Sequence, residues 1–179
     1  MSPKTSRRLV IDTSVAHASG GEEAIYPTSK NCRDFLKTVL TVCHQIVMTP
    51  DIFDEWKKHQ SKFARSWLVS MRARKKVNRH GNPVDIKLRE KINKLSISEK
   101  NRQAMLKDIH LIEAAGVADQ TVISLDETVR GLYHSASARI GLFKNIIWVN
   151  PDKIDEQSFL WLKNGAKPEK KRLLGVDTQ

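Results

Sequence analysis

Four acids scattered along 179 residues carry the chemistry open to this sequence: Asp12, Glu55, Asp108 and Asp126. Asp12 closes the β-branched run Arg8-Leu-Val-Ile-Asp12, and Asp126 follows Thr121-Val-Ile-Ser-Leu125. Each run reads as a buried strand whose carboxyl end opens into a site, because open parallel α/β sheets bind ligands beyond those ends. One Asp after a strand is a weak signal, since Asp also caps helices; two on adjacent strands say more.

Asp108 is the sharper clue. On a helix, Ala104 and Ile112 lie four residues from it, Leu111 three and Ala115 seven, so its carboxylate falls within an apolar arc. An unpaired carboxylate stripped of water is costly, so a cation should sit opposite. The plain alternative is a Lys or Arg; the chemical one is a divalent ion. The fourth acid comes from the helix that starts near Pro50, where Asp51, Asp54 and Glu55 fill the first turns. Glu55 borders the Ile52/Trp56/Phe63 face and has the reach to turn inward, with Asp54 as its substitute. Acids at a helix start are also favoured by the macrodipole alone.

Carboxylate oxygens without zinc-type Cys/His spacing suit a hard cation, Mg²⁺ or Mn²⁺. Held against a phosphodiester, one such ion, or two roughly 3.5–4 Å apart, activates water and neutralises charge developing on the phosphoryl oxygens.

The elements that must position these acids follow from periodicity. Strands are expected at 8–12, 45–49, 121–125 and 145–149, with helices over 31–43, 84–95, 99–115 and from Glu127 through Ala138. Ile52, Phe53, Trp56, Phe63, Ala64, Trp67, Leu68 and Met71 predict one long helix from Pro50 to about Arg74, its Trp and Met stripe serving as core. Ser96 or Ser98 is placed to cap the helix that bears Asp108. Strands alternating with helices predict a parallel sheet covered on both faces. Residues 152–179 hold six basic and five acidic residues around one apolar patch, Phe159 to Leu162, and read as a short docking helix with a frayed tail.

Charge points to a partner. The formal net charge is +11. From Lys57 to Val84 there are nine basic residues and no acid: Lys57, Lys58, Lys62, Arg65, Arg72, Arg74, Lys75, Lys76 and Arg79. A solvated helix face normally mixes signs, because like charges four apart repel; a one-sign run of this length calls for a polyanion, and nucleic acid is the commonest.

Other classes fall away. No apolar stretch approaches the ~18–20 residues of a membrane helix, and Met1 to Arg8 lacks the apolar core of a signal peptide, so the cytoplasm is expected. Cys32 and Cys43, on one helix, would share a face three turns apart, too far to bridge; they read as core residues of a reducing compartment. There is neither a Gly-x-x-x-x-Gly-Lys-Ser/Thr loop nor a Gly-x-Gly-x-x-Gly turn. A phospho-accepting signalling domain would want an acidic neighbour for Asp12 and a Lys in place of Trp148-Val-Asn150. His110, two residues from Asp108, is expected to point away and pack; Asp119 to belong to a turn, and Glu127 to start a helix.

Taken together, Val10-Ile-Asp12-Thr-Ser14, Glu55, Asp108-Ile-His-Leu-Ile-Glu-Ala-Ala115 and Ile123-Ser-Leu-Asp126 resemble the PIN-domain nucleases over about residues 8–150. The resemblance implies a three-layer α/β/α sandwich with a central parallel sheet of four or five strands. It also implies Mg²⁺- or Mn²⁺-dependent cleavage of single-stranded or structured RNA. It carries metal binding and catalysis onto Asp12, Glu55, Asp108 and Asp126, and a helper role by hydroxyl contact onto Ser14 or Ser124, the latter standing where the family often has Thr. Residues 1–150 would form the nuclease domain, including a basic helical segment at 57–95 that is longer than a minimal domain needs, with 151–179 as the docking helix and tail. Many such proteins dimerise or act as toxins paired with antitoxins, so a homodimer, an antitoxin or a larger complex is an expected partner beside RNA. The rival reading is an RNA-binding module that keeps the fold and does not cut.

Overall fold

The computed structural model describes residues 5–20 and 25–176. Part of the polar N-terminus, residues 21–24 and the end of the tail lie outside them.

Five short strands form one sheet: β1 (Arg8–Ile11), β2 (Gln45–Met48), β3 (Val77–Arg79), β4 (Thr121–Ile123) and β5 (Ile147–Val149). Their order is β3-β2-β1-β4-β5 and every pairing is parallel. Such a sheet is covered on both faces, which is why Leu9-Val-Ile11, Val122-Ile123 and Ile147-Trp-Val149 are apolar without alternation and buried. β3 differs. Val77-Asn-Arg79 is a half-exposed edge strand, so it carries no apolar run, and its residues were expected to belong to a helical segment.

The helices are α1 (Thr13–Ala18), α2 (Thr28–Thr41), α3 (Pro50–His59), α4 (Lys62–Ala73), α5 (Ile86–Asn93), α6 (Glu99–Gly116), α7 (Glu127–Ala136) and α8 (Ser158–Lys163). α2 packs against α1, α4 and α8, whereas α6 packs against α5, α7, β1 and β4. The result is a three-layer α/β/α sandwich.

The long helix expected from Pro50 to Arg74 is two helices. Gln60 is extended, and the Ser61 hydroxyl accepts the Ala64 amide at 3.0 Å, starting α4 as a new N-cap. The apolar spacing continues across the break, so periodicity alone ran through it. The stripe itself is core: Trp56 and Trp67 are buried with ring centroids 6.0 Å apart, and Met71 is buried as well. Beyond the end of α4, Lys75 takes a left-handed φ of 56°, which lets the Lys76 amide turn back to Met71 O at 2.9 Å.

The chain beyond β5 is not a frayed tail as far as Val176. Trp161 and Leu162 enter the core, Phe159 meets Phe35 at 6.4 Å, and the Leu174 amide donates to Ile146 O at 2.9 Å. Buried His44 ties α8 to the sheet. Its Nδ1 accepts from the Arg7 amide at 3.1 Å, so Nε2 carries the hydrogen donated to Leu162 O at 2.9 Å. Burial lowers the pKa of this imidazole. Cys32, inside α2, and Cys43 are both free, and burial pushes the Cys32 thiol up to about 12. No helix among the described residues is long and apolar enough to cross a membrane.

The stretch between β3 and α6 is pinned by one buried charge. Glu113 of α6, its side chain 2% exposed, accepts Arg89 Nε at 2.8 Å, Arg89 Nη2 at 2.7 Å and the Asp85 amide at 2.8 Å. Arg89 itself still meets water. Arg89→Met therefore strands a buried carboxylate and is expected to cost about 3 kcal/mol. Glu113→Gln leaves a guanidinium free to turn outward and should cost about 1 kcal/mol. Urea unfolding at constant m checks that order; equal losses would show that the pair is not the pin.

Candidate functional site

β1 and β4 are neighbours, and the Asp12 amide continues their ladder by donating to Ile123 O at 2.9 Å. Asp12 and Ser124 thus emerge side by side at the carboxyl edge of the sheet. Asp12 is 8% exposed, and its Oδ2 accepts the Ser14 hydroxyl at 2.5 Å and the Ser124 hydroxyl at 2.7 Å. Those hydroxyls also brace the loop after β4: Ser14 Oγ accepts the Leu125 amide at 3.2 Å, and Ser124 Oγ accepts the Asp126 amide at 3.1 Å. Below, the Trp56 indole donates to Ile11 O at 3.0 Å, fixing the backbone just before Asp12.

Asp126 starts α7 and caps it with one oxygen, Oδ1 accepting the Val129 amide at 2.8 Å. Both readings of a strand-end Asp apply to it: it caps a helix and faces the sheet edge.

Asp108 sits half-buried on α6, on the side of Asp12 and Asp126. Burial, then the charge on Asp12, then that on Asp126 raise its carboxyl to about 6, and Lys107 and His110 oppose this only partly. No Lys or Arg contacts Asp108 among the described residues, so its negative environment is not relieved by an ion pair within the chain.

Glu55, the fourth acid of the expected set, lies beside His110, with Oε2 3.3 Å from Nε2. His110 was expected to point away and pack. It is buried, and Nδ1 donates to Lys107 O at 3.1 Å, while Nε2 lies close to Glu55 without the alignment of a hydrogen bond. Only the packing of α3 beside α6 makes this contact, and nothing in the spacing of either helix announces it. Asp54, the substitute, is exposed. Among the described residues no three His, Cys, Asp or Glu side chains converge closely enough to ligate one ion. What the fold does bring together is Asp108 within electrostatic reach of Asp12 and Asp126, and Glu55 beside His110.

The donor chemistry still fits a hydrated hard cation. Mg²⁺ keeps several waters and is commonly bound through one or two carboxylates plus substrate phosphate, without a closed protein cage. Asp12, Asp108 and Asp126 supply such oxygens, and their mutual repulsion favours a cation among them.

Other acids are taken up structurally. Asp119 accepts the Arg8 amide at 2.7 Å and pairs with its guanidinium at 3.2 Å. Glu127, the first residue of α7, accepts Asn150 Nδ2 at 3.0 Å and Lys153 Nζ at 2.8 Å.

Of the nine basic residues, eight are exposed: Lys57 and Lys58 on α3, Lys62, Arg65 and Arg72 on α4, then Arg74, Lys75 and Arg79. Lys62, Arg65 and Arg72 recur at i, i+3 and i+10, one face of α4. Arg72 lies 5.2 Å over the Phe53 ring. The face extends onto α2, where Arg33 and Lys37 stand 5.5 and 6.0 Å from the Phe63 centroid, an addition invisible in the linear charge run. Lys76 is the correction: its half-buried ammonium donates to Val39 O at 2.6 Å, Leu40 O at 2.9 Å and Val42 O, capping the end of α2. Burial lowers its pKa. It is a structural lysine.

Compared with protein-family models and with curated proteins, the sequence matches none.

The raised Asp108 carboxyl has a stability consequence. Folding favours its protonated form, so its contribution is fully present below the ordinary value of 3.8 and is lost as pH rises through about 6. Asp108→Asn should be more stable than the parent chain at pH 7–8 by about 1–2 kcal/mol, part of the carboxyl still meeting water, and the gap should close near pH 4. Thermal melts of both proteins across that range, without divalent ions, check it. A gap that widens toward acid would contradict the assignment.

Proposed function

We propose that this chain is a metal-dependent ribonuclease of PIN type. The observation that carries the reading is the environment of Asp108: a half-buried carboxylate raised by burial, Asp12 and Asp126, without an ion-pair partner among the described residues, at the carboxyl edge of a parallel sheet. Structural ion pairs also perturb carboxylates, but here the perturbers are themselves acids, as in sites built for cations. An exposed basic face on the same chain suits a polyanionic substrate.

In this reading Asp12, Asp108 and Asp126 would hold a hydrated ion, one or two of them directly and the rest through its waters, and Ser14 and Ser124 fix one oxygen of the Asp12 carboxylate. When bound, Mg²⁺ or Mn²⁺ supplies an activated water and neutralises charge on the scissile phosphate. Glu55 lies beside His110, two residues from Asp108 on α6. The exposed cations of α3 and α4 hold the strand by its phosphates, and sequence would be read through shape and unstacked bases.

One observation favours the rival reading, an RNA-binding module that does not cut: among the described residues no three acids or imidazoles converge closely enough to ligate one ion. Cleavage of total RNA with and without Mn²⁺ separates the two. Metal-dependent products are expected from the parent chain and should fall at least about a hundredfold in Asp12→Asn and in Asp108→Asn, with RNA affinity kept within threefold. Products from both variants at parental rates would end the catalytic assignment.

The basic face has its own test. Replacing Lys62, Arg65 and Arg72 together with Ala should lower the slope of log K against log salt by about 2, close to 0.7 per single-strand phosphate contact. Lys76→Met is the internal control: it should leave the slope alone and lower the unfolding midpoint. A slope that responds to Lys76 and ignores the triple variant would place the RNA elsewhere.

A further inference from the structure

Away from the aspartates, a cavity of about 520 Å³ opens between the α5–α6 loop and α7. Its floor is aliphatic: Leu95, Ile97, Met105, Leu132 and Ile140. Its rim carries Lys91, Lys94 and Arg139, with the hydroxyls of Ser96 and Ser135, and no acid lines it. None of the three cations has an ion-pair partner among the described residues, although the chain pairs its cations freely elsewhere, as in Arg89–Glu113 and Arg130–Glu156.

The walls are held in place. Arg102 Nη2 donates to Leu95 O at 3.0 Å and Ile97 O at 3.3 Å, fixing the loop; Tyr133 donates its hydroxyl to Met105 O at 2.7 Å, bolting α6 to α7. A preformed apolar floor of this size with a few convergent polar groups is what small-ligand sites have in common.

We propose that this cavity binds a nucleoside monophosphate unit, its base over the Leu132/Met105 floor and its phosphate between Lys91, Lys94 and Arg139. Charge decides the class of ligand. A fatty acid brings one negative charge, which a single cation meets, and it needs a narrow enclosed channel; three unpaired cations around an open mouth fit a phosphate carrying up to two. A base presents a flat apolar face of a size the floor accepts. The unit has two sources, a free nucleotide or one residue of an RNA strand, and α6 relates the cavity to the acids: Met105 lies one turn before Asp108. The proposal stands on the lining of the cavity and does not require that the acids cut.

The test uses the full chain labelled with ¹³C at Met, Ile and Leu methyls, in EDTA so that no cleavage can occur. Four ligands are titrated: AMP, a tetraadenylate, inorganic phosphate and octyl phosphate. AMP should move the Met105 and Leu132 methyls upfield, as an aromatic ring above them requires, and leave Met48 and Met71 in place. The same shift with tetraadenylate assigns the cavity to a strand; the shift with AMP alone assigns it to free nucleotide. Lys91→Glu with Arg139→Glu, both at exposed positions, should weaken AMP at least tenfold, and Ser135→Phe should block it. Equal perturbation by inorganic phosphate would reduce the cavity to an anion site, tighter binding of octyl phosphate would make it a lipid site, and no shift at millimolar AMP would leave it without a nucleotide. Each of these overturns the proposal. RNA cleavage without AMP binding would sink this inference alone, and AMP binding without cleavage would sink only the nuclease reading.

Discussion

The direction of the strands governs the rest of the molecule. Because β1 and β4 run parallel as neighbours, their carboxyl ends share one edge, and two acids 114 positions apart in sequence, Asp12 and Asp126, come to the same place. A parallel ladder also demands long crossovers, and the crossover into β4 is α6, which lays Asp108 beside them. Three negative charges are thus delivered to one locality by topology before any contact between their side chains is considered. Hydroxyls then do what a lysine could have done more cheaply: Ser14 and Ser124 hold Asp12 by donating to it without cancelling its charge.

Much of this arrangement is legible in the sequence, and for identifiable reasons. β1, β4 and β5 announce themselves because a strand buried on both faces must be apolar throughout. Ser98 caps α6 as its position suggests, accepting the Asn101 amide at 3.2 Å. The apolar arc around Asp108 correctly foretells a desolvated carboxylate. What escapes the sequence depends on angles between elements. β3 is written as Val-Asn-Arg because an edge strand has no second neighbour to exclude water. The Glu55–His110 contact is set by how α3 leans on α6. Ser61 is an intermediate case: a capping residue was present, but the apolar period on either side of it masked the break.

The basic run shows why residue counts and surfaces differ. Nine cations without an acid look like a single binding face, yet one of them, Lys76, is turned into the structure to close α2, while Arg33 and Lys37 join the face from a distant segment. Charge patterning in one dimension gives the presence of an exposed basic surface; its membership is decided by which helix ends need capping and which aromatic rings lie beneath.

The indole of Trp56, buried among apolar neighbours, is joined by its N–H to the carbonyl of Ile11. That places a chromophore one peptide unit from Asp12, on a helix that also carries Glu55. Tryptophan emission is sensitive to the field and hydrogen bonding at its N–H, so displacement of the first strand's tip registers optically at this ring. Of the four tryptophans in the chain, Trp56 is the one hydrogen-bonded to the carbonyl just before Asp12, so only its share of the emission follows that backbone.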